Sequence, residues 1–173
     1  MDILIPDIYQ KNIYSINYKN LKNNGIKCLL FDLDNTIVPL KEIKPTKKTI
    51  DLFDSLKEMG FKIIIFSNAN YKRIEPFKKD LSVDSCALCF KPSKRKFLKV
   101  LKIFKYDLSE VAIIGDQLFT DILGGNRVGI TTILVNPISK KDLSVTKPFR
   151  FLEKKIMKKM QKKEVFTKGS YYE

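Results

Sequence analysis

The hydrophobic pattern of the chain alternates between short apolar runs and longer amphipathic stretches. The runs are apolar at nearly every position and predict strands buried on both faces, at residues 28–31, 61–66, 86–90, 111–114 and 132–135. Between and beyond them, helical patterns cover residues 18–23, 47–59, 72–79, 93–104, 120–127 and 147–163. The alternation of strand and helix predicts an α/β fold, a doubly wound parallel sheet between two helical layers.

The length of 173 residues predicts one domain over residues 1–173. Within it, residues 1–25 should form an N-terminal arm and a short helix that Gly25 ends, and residues 147–173 a basic helix and tail. Right-handed crossovers bring the carboxyl ends of parallel strands to one edge of the sheet, where ligands bind. Candidate chemistry is therefore sought at the strand ends.

Two carboxylates, Asp32 and Asp34, directly follow the first apolar run. A spacing of two residues in extended backbone points both side chains toward the same side. Neighbouring carboxylates repel each other unless a cation lies between them or one is protonated, and a hard cation with oxygen ligands, Mg²⁺ above all, suits the arrangement. A solvated Asp-x-Asp turn is the structural alternative.

Three further polar motifs follow apolar runs: Ser67 after residues 63–66, Lys91-Pro92 after residues 86–90, and Gly115-Asp116-Gln117-Leu118-Phe119-Thr120-Asp121 after residues 111–114. With Asp32-Leu33-Asp34-Asn35-Thr36 they resemble, in order, the four motifs of the haloacid dehalogenase (HAD) superfamily. Thr36 alone is equally typical of a cap or turn residue.

The resemblance extends over about residues 4–160 to the YqeG family of HAD subfamily IIIA, which is related to phosphatidylglycerophosphate phosphatases. Besides the first motif, it rests on Leu4-Ile5-Pro6 with Ser15-Ile16, on Leu21-Lys22 with Gly25-Ile26-Lys27, and on Gly115-Asp116-Gln117 with Thr120-Asp121-Ile122-Leu123-Gly124-Gly125-Asn126-Arg127. It implies a Rossmann-like, three-layer α/β/α fold and Mg²⁺-dependent hydrolysis of phosphomonoesters.

The resemblance also assigns roles. Asp32 is expected to attack phosphorus and form an aspartyl phosphate, and Asp34 to act as general acid and then general base. Ser67 and the backbone N–H of Asn68 would hold phosphoryl oxygens, and Lys91 would neutralise their charge. The implied Mg²⁺ site consists of the Asp32 carboxylate, the Asp34 carbonyl and Asp116, with Asp121 steadying a metal-bound water or Lys91.

The short gaps between these motifs leave no room for a cap domain, which usually needs at least ~40 residues. The site should therefore be open, for a bulky substrate or for a neighbouring subunit that supplies a lid; the sequence does not decide between them. Candidate substrate contacts near the opening are Lys41, Arg73, Asn126 and Arg127. Alternatively, Gly124-Gly125 lets a helix pack closely on the sheet.

Charge is the feature that points to a partner. The chain has 33 Lys and Arg against 19 Asp and Glu, a net charge of +14. This favours an anionic partner such as a phosphate ester, anionic lipid or nucleic acid, although a Lys-, Asn- and Ile-rich composition also arises from genomic base bias. Residues 140–173 contain eleven basic and four acidic residues.

The C-terminal pattern predicts an amphipathic helix. Its apolar positions are Phe149, Leu152, Ile156 and Met160, and its basic positions are Lys154, Lys155, Lys158, Lys159, Lys162 and Lys163. Three interpretations stay open: a helix docked on the core with a solvated lysine face, an interfacial helix on anionic lipid, and a nucleic-acid contact. No nucleic-acid motif is recognisable, so we expect no nucleic-acid partner.

Cysteine usage and hydropathy indicate the compartment. Cys28, Cys86 and Cys89 are too few for a disulfide scaffold, and Cys86-x-x-Cys89 is half of a zinc pattern in a chain without His, so buried thiols are expected. No apolar run approaches ~20 residues and the N-terminus lacks signal-peptide features. These observations predict a cytoplasmic protein, with peripheral attachment to the inner face of the membrane as an open alternative.

The function expected from these motifs is a phosphatase, with phosphatidylglycerophosphate as the substrate that the resemblance implies. A soluble sugar- or nucleotide-phosphate phosphatase is one alternative, and a non-catalytic phosphate-dependent binding module is another. The complete set of Asp32, Asp34, Ser67, Lys91 and Asp116 argues against the binding module.

Overall fold

A six-stranded sheet forms the centre of the protein in a computed structural model that describes residues 2–139 and 147–173. The strands are β1 (Ile8–Gln10), β2 (Cys28–Phe31), β3 (Lys62–Phe66), β4 (Asp84–Cys86), β5 (Val111–Gly115) and β6 (Thr131–Val135). Their spatial order is β1-β6-β5-β2-β3-β4, and every pairing between them is parallel.

Helices connect the strands. They are α1 (Tyr18–Asn23), α2 (Lys47–Glu58), α3 (Tyr71–Leu81), α4 (Lys94–Phe104), α5 (Leu123–Val128) and α6 (Lys147–Lys162). Short 3₁₀ turns occur at Asp2–Leu4, Ile13–Ser15 and Leu108–Glu110, and a π-helical turn, Leu118–Ile122, leads into α5.

Alternate residues of the strands supply the two faces of the core. Leu29 and Phe31 pack with residues of α1, α2 and α3, whereas Cys28 and Leu30 pack with α4 and Val128 of α5. A strand covered on both faces has no reason to alternate with polar residues, which explains the continuous apolar runs. The predicted α/β fold with a doubly wound parallel sheet is confirmed.

The strand order reverses between β2 and β5. From β2 the chain proceeds outward to β3 and β4, and from β5 it proceeds the other way to β6. In open α/β sheets a crevice forms at such a switch point, outside the carboxyl ends of the strands. Asp32, which follows β2, and Asp116, which follows β5, therefore lie on the two sides of one crevice.

Two strand predictions need correction. The N-terminal arm contains β1, whose partner on the outer edge is Tyr172 of the C-terminal tail through two backbone hydrogen bonds with Tyr9. The strand predicted at residues 86–90 is instead Asp84–Cys86, because Leu88 and Phe90 adopt positive φ angles of 49° and 52°, which a strand cannot contain.

The C-terminal helix α6 docks on the protein. Met160 is fully buried, and the buried Glu153 accepts a hydrogen bond from the Phe119 N–H at 3.1 Å. The predicted apolar face is wrong at Leu152, which is 47% exposed, because the docked face is centred on Glu153 and Met160. Phe149, another predicted apolar position, belongs to the first turn of α6, for which the structure describes the backbone and not the side chains.

The lysines of α6 from Lys154 to Lys159 stay exposed on the docked helix. The structure therefore shows the first of the three interpretations, a helix docked on the core. None of the helices in the described ranges combines the length and the hydrophobicity of a membrane-spanning segment. The predicted free thiols are present at all three cysteines, although only Cys28 and Cys89 are buried and Cys86 is partly exposed.

Candidate active site

The first motif begins where β2 leaves the sheet. The Asp32 N–H still donates to the Ile114 carbonyl of β5 at 2.9 Å, so the nucleophile candidate is held by the last rung of the ladder. Asn35, with a φ of 66°, then turns the chain, and its N–H donates to the Val38 carbonyl at 2.7 Å. This turn directs Asp32 and Asp34 into the same cleft.

Three buried carboxylates meet at the crevice. One oxygen each of Asp32, Asp116 and Asp121 lies within 4.8 Å of the other two. The approach of Asp121 depends on Gly115, because a Cβ atom there would lie 2.2 Å from the Asp121 Cγ. Thr36 also contributes, since its hydroxyl donates to Asp116 at 3.4 Å, so it is more than a turn residue.

Lys91 crosses from the opposite side of the crevice. Its Nζ donates to Asp32 Oδ1 and to Asp121 Oδ1, both at 2.6 Å, and its side chain is only 1% exposed. A buried ammonium is tolerated here because two carboxylates surround it. The cluster thus has one cation for three anionic groups, which leaves a negative excess.

The buried cluster shifts the proton affinities of its members. Burial raises the pKa of Asp32 to about 7, against the opposing effect of the nearby Lys91 ammonium. Burial by itself would lower the pKa of Lys91, but Asp121 and Asp32 outweigh it and the pKa rises. Lys91 stays charged, and one further positive charge near Asp32 would hold that carboxyl in its ionised form.

The second motif fixes the position of Lys91. The Lys91 N–H donates to the Asn68 Oδ1 at 2.7 Å, and the Asn68 Nδ2 donates back to the Lys91 carbonyl at 3.2 Å. Asn68 was predicted to act through its backbone, whereas its side chain holds the backbone of the lysine. Ser67 follows β3, lines the cleft and accepts the Ala69 N–H at 3.2 Å.

Asp34 is paired with Arg73 of α3. The Arg73 Nε and Nη2 donate to Asp34 Oδ1 at 3.1 and 2.8 Å, and its Nη1 contacts the Glu42 carbonyl. One guanidinium therefore holds the acid–base candidate and the loop that follows it. The predicted substrate contact Arg73 thus lines the cleft and is held by Asp34, and its contact with substrate stays a prediction.

The cleft itself has a volume of about 360 Å³. It is lined by Asp32, Asp34, Leu40, Ser67, Asn68, Ala69, Asn70, Arg73, Lys91, Gln117 and Thr120. Sequence reasoning gave no role to Gln117 and Thr120, although both stand inside the fourth motif. It also missed Asn70, whose side chain accepts the Arg73 N–H as the N-cap of α3.

The other predicted substrate contacts lie apart from the carboxylates. Lys41 is exposed, next to the cleft residue Leu40. Arg127 donates to the Pro92 carbonyl at 3.4 Å, and Asn126 donates to the Ile3 and Ile5 carbonyls, where it fastens the N-terminal arm. Neither Arg127 nor Asn126 lines the cleft.

The alternative explanation for the double glycine holds. A Cβ atom at Gly124 would lie 2.9 Å from the Phe97 ring, and one at Gly125 would lie 2.5 Å from Thr132 Cγ2. The glycines therefore allow α5 to pack closely on α4 and on the sheet.

The chemistry of the donor set fits a hard divalent cation. Three buried carboxylates that converge on one point offer only oxygen ligands, which Mg²⁺ prefers. Lys91 supplies only one positive charge for these three carboxylates, so a divalent cation would complete the charge balance. We therefore expect Asp32, Asp116 and Asp121 to surround a cation, with Lys91 beside it.

Comparison with known proteins agrees with this geometry. Residues 38–129 match the family model described as haloacid dehalogenase-like hydrolase. The chain belongs to this family. It is 35% identical to the Bacillus subtilis (strain 168) protein named "Probable phosphatase YqeG" over 159 residues, which covers 92% of each chain.

A second relative is a phosphatidylglycerophosphate phosphatase 1 of Arabidopsis thaliana, 27% identical over 172 residues; the match covers 92% of this chain and 49% of that protein. Among solved structures, the cobalt-bound deoxy-D-mannose-octulosonate 8-phosphate phosphatase of Haemophilus influenzae superposes with a TM-score of 0.54 at 14% identity, over 84% of this chain and 95% of that one. The HAD-like fold and the assignment to HAD-type phosphatases are thus confirmed.

Proposed function

We propose that the protein hydrolyses phosphomonoesters with the help of Mg²⁺ through an aspartyl phosphate on Asp32. The observation that carries the proposal is the convergence of Asp32, Asp116 and Asp121 within 4.8 Å, directly beside the buried Lys91. When bound, Mg²⁺ would shield the anionic nucleophile from the anionic phosphate and polarise a phosphoryl oxygen.

The residues of the chain supply the remaining steps. An Asp32 oxygen attacks phosphorus while the bond from phosphorus to the ester oxygen breaks, and Asp34 gives its proton to that leaving oxygen. A water then attacks the aspartyl phosphate, Asp34 takes its proton, and phosphate leaves with Asp32 regenerated. Lys91 and Ser67 hold the phosphoryl oxygens during both steps.

Arg73 orients the Asp34 carboxyl for this proton transfer through its two bonds to Oδ1. Asn68 keeps the Lys91 backbone in place, so that the ammonium stays beside Asp32 and Asp121, next to the cleft where the phosphate would bind. Rigid placement of this kind removes much of the entropic barrier to reaction.

For the substrate we propose phosphatidylglycerophosphate, hydrolysed by a cytoplasmic enzyme that works peripherally at the inner face of the membrane. The support is the named activity of the Arabidopsis relative, together with an open cleft and a net charge of +14. A panel of lipid, sugar and nucleotide phosphates with Mg²⁺ tests this. Turnover of the soluble esters without turnover of the lipid would refute the lipid substrate while leaving the phosphatase intact.

The chemical proposal is tested with p-nitrophenyl phosphate. We expect Mg²⁺-dependent phosphate release that EDTA abolishes and that Asp32→Asn lowers by roughly 10⁴-fold or more, as for removal of other nucleophiles. Asp107→Asn, at the far edge of the sheet, is the matched control and should keep its activity. Full activity of Asp32→Asn would show that the nucleophile is assigned wrongly.

A further inference from the structure

The loops around the cleft expose large apolar side chains. Three loops at the carboxyl edge of the sheet, those after β2, β4 and β6, and the first residue of α3 carry such side chains, which we call the apolar rim: Ile43, Tyr71, Leu88, Phe90 and Ile138. Their exposed fractions range from 37% at Leu88 to 70% at Ile43. Single exposed apolar residues are ordinary, whereas a group around one opening marks a contact surface.

Hydrogen bonds and chain neighbours tie the rim to the cleft. Phe90 directly precedes Lys91, and Tyr71 follows the cleft residue Asn70. The Leu88 N–H donates to the Ala69 carbonyl at 2.9 Å, and the Ile138 N–H donates to the Asn35 carbonyl at 2.9 Å. The rim therefore belongs to the loops that form the site.

Two rim residues are held outward by unfavourable backbone. Leu88 and Phe90 both have positive φ, while Cys89 between them is fully buried. Left-handed backbone is costly for bulky residues, and such conformations are retained mainly where function requires them. The loop therefore adopts a destabilising backbone conformation that leaves two apolar side chains exposed to solvent.

Basic residues surround the rim. The first turns of α2, α3 and α4 all begin at this edge and have no acidic residue; besides Arg73, which pairs with Asp34, they contain Lys47, Lys48, Lys72, Lys94, Arg95 and Lys96. Cations at helix N-termini oppose the helix dipole, so helix stability does not explain them. Exposed Lys41 and Lys44 flank Ile43 on the loop after β2.

We propose that this face of the protein docks on an anionic phospholipid bilayer. A soluble anion would be attracted by the lysines but would gain nothing from the apolar rim, whereas a bilayer surface offers both anionic headgroups and acyl chains. The proposal deepens the phosphatase proposal and rests on it for the orientation, because docking in this way presents the cleft to phosphates at the bilayer surface.

The test is co-sedimentation of the full chain with vesicles of phosphatidylcholine alone or with about one-third phosphatidylglycerol, at low salt. We expect binding to the anionic vesicles only. Ile43→Ser with Phe90→Ser should weaken binding by roughly tenfold or more, since each side chain loses its contact with acyl chains. The matched control is Ile103→Ser with Leu108→Ser, two exposed apolar residues at the opposite edge, which should bind as wild type.

Two further variants test how much the lysines contribute to vesicle binding. Lys41→Gln with Lys44→Gln should weaken binding by roughly 25-fold, about fivefold for each lysine, and high salt should also weaken binding. Lys102→Gln with Lys105→Gln, at the opposite edge, should have no effect. Thermal unfolding of each variant confirms that it folds.

Several outcomes would overturn the proposal: wild-type binding by the rim variant, equal binding to neutral vesicles, or loss of binding only in an α6 variant such as Lys155→Gln with Lys159→Gln. A dimer in light scattering that the rim variant dissociates would also overturn it, since a second copy would then cover the rim. Vesicle binding without Mg²⁺-dependent turnover would refute the phosphatase proposal and leave this one standing.

Discussion

The two edges of the sheet differ in which residues adopt left-handed backbone where the chain turns. At the amino edge, every helix from α1 to α5 ends near a residue of positive φ: Gly25, Gly60, Ser82, Lys105 and Gly129. At the carboxyl edge positive φ falls on Asn35, Leu88 and Phe90, none of them glycine. Glycine adopts left-handed backbone with the least strain. The amino edge, where the chain only has to turn, has glycine at most of these positions.

Charge differs between the edges as well. At the amino edge, Lys27 pairs with Glu110 in an exposed ion pair. At the carboxyl edge, Lys91 pairs with Asp32 and Asp121 in a nearly solvent-free cluster. Exposed pairs contribute little, whereas a buried pair leaves a costly unpaired charge when one member is removed. The ion pair at the amino edge therefore contributes little, whereas both stability and chemistry depend on the charged cluster at the carboxyl edge.

Among the changes that compare the two edges, the largest expected effect comes from removing the buried ammonium of Lys91. Lys91→Met should lower the free energy of unfolding by about 3–5 kcal/mol in EDTA, because two buried carboxylates lose their counter-ion. Phosphatase activity should fall by roughly 10³-fold. Added Mg²⁺ should restore part of the stability, since a cation can take the place of the ammonium between Asp32 and Asp121; denaturant unfolding with and without Mg²⁺ measures this.

The matched change at the other edge is Lys27→Met. It should leave activity unchanged and alter unfolding too little to measure, because Lys27 is exposed. Equal effects of the two lysine changes would remove the distinction between the edges.

The second prediction compares a glycine that leaves room for a site residue with a glycine that only allows a left-handed turn. Gly115→Ala places a methyl group 2.2 Å from Asp121 Cγ, so the carboxylate must shift from the position in which it accepts from Lys91. Displacements of about 1 Å at a catalytic group cost roughly 10²-fold in rate, and we expect a loss of this size in kcat/KM.

Gly129→Ala is the control. Its Cβ would meet nothing within 4 Å, but the φ of 89° makes any side chain strained. Stability should fall by about 1–2 kcal/mol while kcat/KM stays as in wild type. If Gly129→Ala lowered activity as much as Gly115→Ala, the loss at Gly115 would reflect stability alone.

Sequence reasoning identified the parts of the site that depend on topology. Asp32, Ser67 and Asp116 each directly follow a parallel strand, so topology brings them to one edge whatever the details of packing. Lys91 reaches the same edge through the loop after β4. The fold was also predictable, because strands buried on both faces give continuous apolar runs, whereas amphipathic helices show a period of about 3.6 residues.

What was missed depends on side-chain conformation and on single-residue backbone geometry. The contact between Arg73 and Asp34 joins residues 39 positions apart, and no local pattern encodes the direction of the guanidinium. Residues 86–90 are apolar and were interpreted as a strand, although Leu88 and Phe90 turn outward around the buried Cys89. Hydrophobicity indicates burial, and here part of the apolar surface is kept exposed.

The third prediction concerns the guanidinium that holds the acid–base candidate. Arg73→Lys removes the fork that contacts Asp34 and the Glu42 carbonyl together, because a single ammonium cannot span both. We expect kcat to fall by roughly ten- to a hundredfold with a smaller change in KM, since proton transfer is affected more than binding. Arg95→Lys, at the exposed start of α4, should be neutral; steady-state kinetics on p-nitrophenyl phosphate provides both values, and a rise in KM alone would assign Arg73 to substrate binding.

The smallest expected effect is a pH dependence, because the pKa of a carboxyl group is raised at the carboxyl edge and lowered at the amino edge. Burial raises the pKa of Asp32 to about 7, whereas the hydrogen bond from Lys27 lowers the pKa of Glu110. Below pH 7 a cation must displace a proton from Asp32, so calorimetry should show an Mg²⁺ affinity that falls by up to about tenfold for each unit that the pH is lowered and that levels off above pH 7.

In EDTA, the folded protein holds the Asp32 proton that the unfolded chain has lost between about pH 4 and 7, so the free energy of unfolding should decrease as pH rises through this range. Glu110 adds no slope there, because its stabilisation is lost only at lower pH. Asp32→Asn should abolish the dependence of stability on pH in this range, and a slope that survives the change would place the titrating group elsewhere.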